Sequence, residues 1–231
     1  MPQQEDSTKR SVGIGSTITA TVFGIMEKKQ TTIMISYAIS VCNEARELER
    51  LLTALQPYLQ DTDEIVVQAD QKNVTQEVKD VAKRFNSIIT TYAEYPLNYD
   101  FAAAKNHLNS LCKGEYIFQL DADEVPQPWL LEHLPHILRR YFWVDLFKLP
   151  RINLFDDTTE REAWPDYQGR IYRNRPRIRW HRPLHERIKG HIFSCHLPKK
   201  DEYALLHLKD REQNAAKWEE WQRHYDKRTT L

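Results

Sequence analysis

Apolar positions along this chain of 231 residues recur with two different periods, and the two alternate. Ile33 to Cys42 is an apolar, β-rich run closed by Asn43-Glu44; Leu48, Leu51, Leu52 and Leu55 follow at helical spacing, which predicts a strand and then an amphipathic helix. Glu64-Ile65-Val66-Val67 predicts a second strand, and Val74, Val78, Val81, Ala82 and Phe85 mark the next helix. Ser87 to Tyr92 predicts a third strand, Tyr95 to Asp100 a loop, and Phe101 to Cys112 a helix with Ala102, Ala103 and Ala104 near its start. Tyr116-Ile117-Phe118-Gln119-Leu120 is then a fourth apolar run, and it stops abruptly in Asp121-Ala122-Asp123-Glu124. Strands alternating with helices of this length imply right-handed crossovers, so the pattern predicts a single α/β domain with a mostly parallel sheet flanked by helices.

The pattern changes after Pro126. A helix is expected through Trp129, Leu130, Leu134, Ile137 and Leu138, and a strand over Trp143 to Leu149. From Pro150 to Pro198, prolines, clustered charge and short apolar runs predict irregular strands and loops over an active site. Tyr203 to Leu208 is the last expected strand. Gln213 to Lys227 is expected as a closing helix, with Ala216, Trp218, Trp221 and Tyr225 as core contacts. The first residues stand apart: Met1 to Arg10 is polar, and Ser11 to Ile25 is too rich in Gly and Thr for a signal-peptide core, so residues 1–32 are expected to be an extension and 33–231 the folded domain.

Composition narrows the function classes. The 33 basic and 33 acidic side chains cancel, which removes any global field toward nucleic acid or an anionic membrane and makes any anion site local. Cys42, Cys112 and Cys195 are too few and too scattered for a disulfide framework or a zinc cluster. Mean hydropathy is −0.68 and no run approaches the ~18 to 20 apolar residues of a spanning helix. The expectation is a soluble protein in a reducing, cytoplasmic compartment, at most peripheral to the inner membrane face.

The chemistry concentrates where the fourth strand ends. Open α/β sheets bind ligands beyond the carboxyl ends of their strands. Asp121 and Asp123, spaced i, i+2 around a small residue, can face one hard cation if the chain turns there, and a phosphate-bound Mg²⁺ or Mn²⁺ takes one or two protein carboxylates. Three acids after a strand also make an ordinary solvated turn, and the motif alone leaves both open.

Five motifs taken in order carry a resemblance: Val41-Cys42-Asn43-Glu44, Phe101-Ala102-Ala103-Ala104-Lys105-Asn106, Asp121-Ala122-Asp123-Glu124, Arg170-Ile171-Tyr172-Arg173, and Trp180-His181-Arg182-Pro183-Leu184-His185-Glu186. Over about Ile33 to Lys209 the chain resembles the inverting glycosyltransferases of family 2, which have the GT-A fold, and within them a bacterial and phage subgroup with a His-Glu pair downstream of the acidic motif. The resemblance implies transfer of a sugar from a nucleotide-diphosphate donor to an acceptor hydroxyl, with residues 33–125 binding the donor and 126–231 the acceptor. It implies Asp123 as a ligand to Mn²⁺ or Mg²⁺, Asp121 on the ribose or the same ion, and His207 as a third ligand, His207 being equally readable as a half-buried structural histidine. Arg170 is the implied phosphate contact and Glu186 the general base, with His185 orienting it and Asp166 as the fallback base. Asn43, Glu44, Gln68, Asp70, Lys105 and Asn106 complete the implied donor site.

Two positions depart from the family pattern. Lys105-Asn106 stands where Arg-Asn is common, which keeps the charge but loses the guanidinium fork. Gln68 stands near the usual base-gripping acid, with Asp70 two residues on, so an amide would meet the nucleobase. The implied acceptor is a glycan, a protein side chain or a modified DNA base, and the arginine run from Arg170 to Arg182 suits an anionic one. Two other classes are compatible with the chain: a catalytically silent nucleotide-sugar-binding module, and a nucleotidyltransferase, whose usual Gly-rich loop has no counterpart in Cys42-Asn43-Glu44-Ala45.

Overall fold

The expected βαβα alternation is present in the computed structural model, which describes residues 33–155 and 162–209. It runs β1 (Ile35–Val41), α1 (Ala45–Leu55), β2 (Glu64–Asp70), α2 (Gln76–Arg84), β3 (Ile89–Tyr95), α3 (Phe101–Leu111) and β4 (Tyr116–Asp121). The extension expected over residues 1–32 and the helix expected over Gln213 to Lys227 lie outside the described residues.

Period-two alternation sorts β1 between two cores. Ile35, Tyr37, Ile39 and Val41 face the leucines of α1 and Val78 and Val81 of α2, whereas Ala38 faces Ala102 and Leu108 of α3 on the other side of the sheet. All four α1 leucines are fully buried, and each contributes about 2 to 3 kcal/mol by burial. β1, β2 and β3 pair in parallel outward in one direction, and β4 then pairs in parallel with the opposite edge of β1. The connection through α3 crosses the far face of the sheet, so the strand order reverses at β1 and a crevice opens between the carboxyl ends of β1 and β4.

The second half comprises β5 (Glu124–Pro126), α4 (Pro128–Arg140), β6 (Leu146–Phe155), β7 (Glu162–Arg173), β8 (Arg179–His181), β9 (Arg187–Lys189), β10 (Ser194–His196) and β11 (Leu205–Lys209). Among the described residues the main sheet has nine strands in the order β3-β2-β1-β4-β7-β6-β11-β5, with β10 on β6, while β8 and β9 form a separate hairpin. β7 is antiparallel to both its neighbours and β5 to β11; the remaining pairings of the main sheet are parallel. The chain is thus an α/β domain with a mostly parallel central sheet.

The stretch expected to be irregular from Pro150 onward opens with two long strands, and from Asn174 to Pro198 it consists of short strands and loops as expected. β6 starts at Leu146 rather than Trp143 and continues through Pro150 to Phe155, and β7 is 12 residues long. Proline cannot donate to a ladder, but both prolines sit where the ladder tolerates them. Pro150 falls between the segments of β6 that pair with β10 and with β11, and Pro165 falls in the register shift between Arg151 and Asn153. The third strand is displaced toward Tyr95, and the last begins at Leu205 after a short 3₁₀ turn over Asp201–Tyr203.

Candidate active site

Strand register lines up the polar residues at the crevice. Ser40 of β1 pairs with Gln68 of β2 on one side and Asp121 of β4 on the other, so three polar side chains stand abreast at the strand ends. On the other half of the sheet, His207 of β11 pairs with Asn153 of β6 and with Glu124 of β5, and Arg151 of β6 pairs with Asp166 of β7. A cavity of about 230 Å³ lies between the two groups, lined by Ser40, Gln68, Asp121, Asp123, Arg151 and His207 among others.

Charged groups along one wall alternate in sign. Glu186 Oε1 is 2.7 Å from Lys105 Nζ, which lies 3.4 Å from Asp121 Oδ1. Asp121 Oδ2 accepts from Arg170 Nη2 at 2.8 Å; the same nitrogen donates to Glu124 Oε1 at 2.6 Å, and Arg151 Nη1 donates to that oxygen at 3.0 Å. Arg151 then forks onto Asp166 Oδ2 through Nε and Nη2 at 2.9 and 2.6 Å. Burial raises the carboxyl pKa of Glu124, but Arg170 and Arg151 outweigh it and hold the group far below the usual carboxylate range. Asp121 moves down by the same balance, with Lys105 and Arg170 as its cations, and Asp166 with Arg151 as its cation. Five carboxylates (Asp121, Asp123, Glu124, Asp166, Glu186) face three cations (Lys105, Arg151, Arg170), so 3 − 5 leaves two negative charges when His207 is neutral. The wall by itself attracts a divalent cation and repels a diphosphate.

Half-buried Asp123 and buried His207 form the other end of this network. His207 Nε2 lies 3.2 Å from Asp123 Oδ2, and His207 Nδ1 lies 2.8 Å from Asn153 Oδ1. Asn153 Nδ2 donates to the carboxylate of Asp166 at 3.1 Å, which requires Asn153 Oδ1 to face the imidazole and His207 Nδ1 to carry a proton. Nε2 is thereby the nitrogen turned to Asp123. With a proton on Nε2 this contact is a hydrogen bond to Asp123; without one, the nitrogen and the carboxylate oxygen are two acceptors suited to a shared cation. Among the described residues no three His, Cys, Asp or Glu side chains converge as a complete metal cage. The donor set fits a hard divalent ion that keeps positions open for phosphate oxygens and water.

α3 positions the hairpin that bears Glu186. Asn106 Nδ2 donates to the Trp180 carbonyl at 2.8 Å and its Oδ1 accepts from the Trp180 N–H at 3.0 Å, while Lys105 Nζ sits 4.8 Å above the Trp180 ring. Phe101 N–H also donates to Pro183 O at 3.0 Å. The loop from β8 to β9 carries Arg182 and His185 at φ of 76° and 53°, and Asn98 and Tyr99 at the entry to α3 are likewise left-handed. Among the described residues, the non-glycine positions with left-handed backbone thus fall beside the cavity.

The other end of the cavity is lined by Gln68, Asp70, Tyr95 and Leu97. Gln68 Nε2 donates to Ala104 O at 2.9 Å, and Gln68 Oε1 accepts from His107 Nδ1 at 2.7 Å. His107 stacks on Tyr95 with centroids 4.1 Å apart. Asp70 accepts from Leu97 N–H at 3.0 Å and Asn73 Nδ2 at 2.6 Å, so it holds the adjoining loops. Glu44 lines the cavity and accepts from the N–H groups of Cys42 and Asn43, whereas the Asn43 side chain is exposed and outside the lining.

The structure therefore gathers Glu44, Gln68, Asp70, Lys105, Asp121, Asp123 and His207 at one cavity, with Glu186 against Lys105. Arg170 is buried beneath Asp121 and Glu124 rather than lining the cavity, and Arg151 is the lining arginine. Asp166 accepts four hydrogen bonds, from Arg151 twice, Asn153 and Gln168, and is poorly disposed to accept a further proton. Sequence reasoning missed Arg151, Asn153, Tyr95 and His107. The signal for the first two was the Arg-x-Asn and Asp-x-Gln spacing of β6 and β7, which only reads as two facing strands once Pro150 and Pro165 are accepted inside them.

Comparison with known proteins gives a family and a fold. The family model described as Glycosyl transferase family 2 matches residues 36–193. No curated protein sequence matches the chain. Similar solved structures include S. aureus TarS 1–349 in complex with UDP-GlcNAc, at TM-score 0.54 and 13% identity over 77% of this chain and 58% of that one. They also include the mannosyltransferase PcManGT from Pyrobaculum calidifontis in complex with GDP-Man and Mn²⁺, at TM-score 0.42 and 21% identity over 52% of this chain and 36% of that one. Glucosyl-3-phosphoglycerate synthase from Mycobacterium tuberculosis, in complex with Mn²⁺, UDP and glucosyl-3-phosphoglycerate, matches at TM-score 0.40 and 17% identity over 54% and 45%. The chain spans about half the length of solved structures it matches.

Proposed function

The chain belongs to glycosyl transferase family 2, and from that premise we propose that it transfers a sugar from a nucleotide-diphosphate donor to an acceptor hydroxyl with inversion, using a divalent cation held by Asp123 and His207. The observation that carries this is the Asp123–His207 pair at the cavity, with His207 turned by Asn153 so that Nε2 faces the carboxylate at 3.2 Å. The cation, Mn²⁺ or Mg²⁺, supplies positive charge to the departing diphosphate on a wall that otherwise carries net negative charge. Lys105 and Arg151 line the same cavity and add cationic donors for phosphate oxygens. Asp121, tied to Lys105 and Arg170, keeps its charge and in this proposal meets the ribose or shares the cation.

Glu186 is the general base in this account. Lys105 holds one of its oxygens at 2.7 Å, which fixes the carboxylate and leaves the second oxygen for the acceptor hydroxyl proton. Asp166 is disfavoured for that role by its four hydrogen bonds. The acceptor class stays among the hydroxyls of a glycan, a protein or a modified nucleobase. The test is release of nucleoside diphosphate from a panel of nucleotide sugars with Mn²⁺ present. Wild type should turn over at least one donor, Asp123→Ala none, and Glu186→Gln should bind donor while losing at least about a hundredfold in kcat. Equal turnover by Asp123→Ala would remove the proposal.

A further inference from the structure

The large apolar side chains exposed among the described residues are Tyr141, Phe142, Trp143, Ile192 and Phe193, at 38, 64, 52, 66 and 57% exposure. They belong to two segments joined through the backbone. The N–H groups of Asp145 and Leu146 donate to Phe193 O at 2.9 and 3.1 Å, and Ile192 N–H donates to Asp145 Oδ2 at 2.8 Å. Tyr141 and Phe142 meet the Trp143 ring edge-on, at 5.8 and 5.3 Å between centroids. At ~200 Å² per aromatic side chain, the four rings alone present about 400 Å², within the ~300 to 600 Å² of the largest apolar patch on a typical monomer, which is often functional.

The rim of this patch is basic. Arg140 lies 6.0 Å from the Tyr141 ring, Arg173 donates to the Phe142 carbonyl, and Arg175 and Arg177 reach Asp145 at 3.3 and 3.2 Å. Arg173 is 13% exposed and already held by Glu115, so the presented cations are Arg140, Arg175 and Arg177 against Asp145, and 3 − 1 leaves two positive charges on a chain of zero formal charge. The arginine run of the sequence is therefore divided by the fold: Arg170 goes to the catalytic wall, and Arg173, Arg175 and Arg177 go to this face.

We propose that this face docks on an anionic lipid bilayer surface. Tyr141 and Trp143 have the polar edges that settle at the level of lipid headgroups, Phe142, Ile192 and Phe193 supply apolar surface beside them, and flanking arginines pair with lipid phosphates. Charge decides among occupants: a second copy seated on the same face would oppose two basic rims, whereas an anionic surface complements one. Tyr116, which carries Arg173 over its ring at 4.7 Å, begins β4, and Asp121 ends it roughly 16 Å away at 3.3 Å per residue. Docking face and cavity lie at opposite ends of one strand and can be altered separately.

The experiment is co-sedimentation of the full chain with vesicles of phosphatidylcholine alone and of phosphatidylcholine and phosphatidylglycerol in equal parts, for wild type, Phe142→Ser/Phe193→Ser and Arg140→Glu. All three substituted positions are exposed, so thermal midpoints should be unchanged. The proposal expects salt-sensitive binding to the anionic vesicles alone, weakened at least about tenfold by either variant. Absence of binding, equal binding to neutral vesicles, or variants that bind as wild type would overturn it. So would a solution dimer that the double serine variant dissolves, because the patch would then be covered by a second copy.

Discussion

Replacing Arg170 by methionine separates a clamp beneath the active site from a direct phosphate contact. Arg170 is 4% exposed, and one guanidinium nitrogen reaches both Asp121 and Glu124, at 2.8 and 2.6 Å. Glu124 is fully buried, and without Arg170 its remaining arginine partner among the described residues is Arg151. Removing one partner from a buried ion pair costs about 3 to 5 kcal/mol. The remaining Arg151 and the partial exposure of Asp121 place the expected loss near the lower end, about 3 kcal/mol, out of the ~5 to 15 kcal/mol that a domain of this kind has. Urea unfolding should show the midpoint falling by roughly 1 M with little change in slope. Adding Glu124→Gln to the same chain removes the stranded charge and should return at least about 1 kcal/mol, a coupling expected of groups in direct contact. A loss below about 1 kcal/mol, accompanied by a large fall in nucleoside diphosphate affinity, would refute the clamp and restore Arg170 as a donor contact.

Asn153→Ala removes the acceptor that fixes the His207 tautomer. Mn²⁺ affinity, followed by titration in the presence of nucleoside diphosphate, should fall about 10- to 100-fold while the fold persists. Glu124, Asp121 and Asp166 all have carboxyl pKa values depressed by their arginine and lysine partners, so their stabilisation is present above the unfolded values of about 4 and is lost as pH falls through the folded ones. Asp63, raised by burial, shifts the opposite way and offsets a fraction of this. Urea midpoints should decline steeply below about pH 4, and the decline should flatten in Arg170→Met/Glu124→Gln; an unchanged acid profile in that variant would argue against the network. Asn106→Ala should loosen the Trp180 hairpin, lowering kcat with little change in donor affinity, since Asn106 grips the backbone beside Glu186 rather than the cavity.

The first half of the fold was readable from pattern because β1, β2 and β4 are short apolar runs buried on both faces and α1 and α2 each bury a leucine or valine stripe. β1 and α1 are the clearest case, where Ile35, Tyr37, Ile39 and Val41 meet Leu48, Leu51, Leu52 and Leu55. The second half was not, because its long strands carry prolines and charged residues that usually mark loops. Pro150 and Pro165 are accommodated by changes of strand partner and register, which depend on contacts distant in sequence. The same holds at the site. The acidic strand end announced itself, since Asp121 and Asp123 follow an apolar run. Arg151 and Asn153 did not, because their importance arises from pairing with Asp166 and His207, 15 and 54 residues away along the chain. The roles of Lys105 and Asn106 likewise became physical only when the hairpin from Trp180 was seen against α3.

The most direct test of the account is nucleoside diphosphate binding with and without Mn²⁺, measured by thermal shift and calorimetry on wild type and Asp123→Ala. Wild type should bind at least one nucleoside diphosphate tightly with Mn²⁺ and weakly without it, and Asp123→Ala should lose the Mn²⁺-dependent part. Binding that ignores Mn²⁺, or that Asp123→Ala leaves intact, would contradict a cation shared between Asp123, His207 and the donor diphosphate.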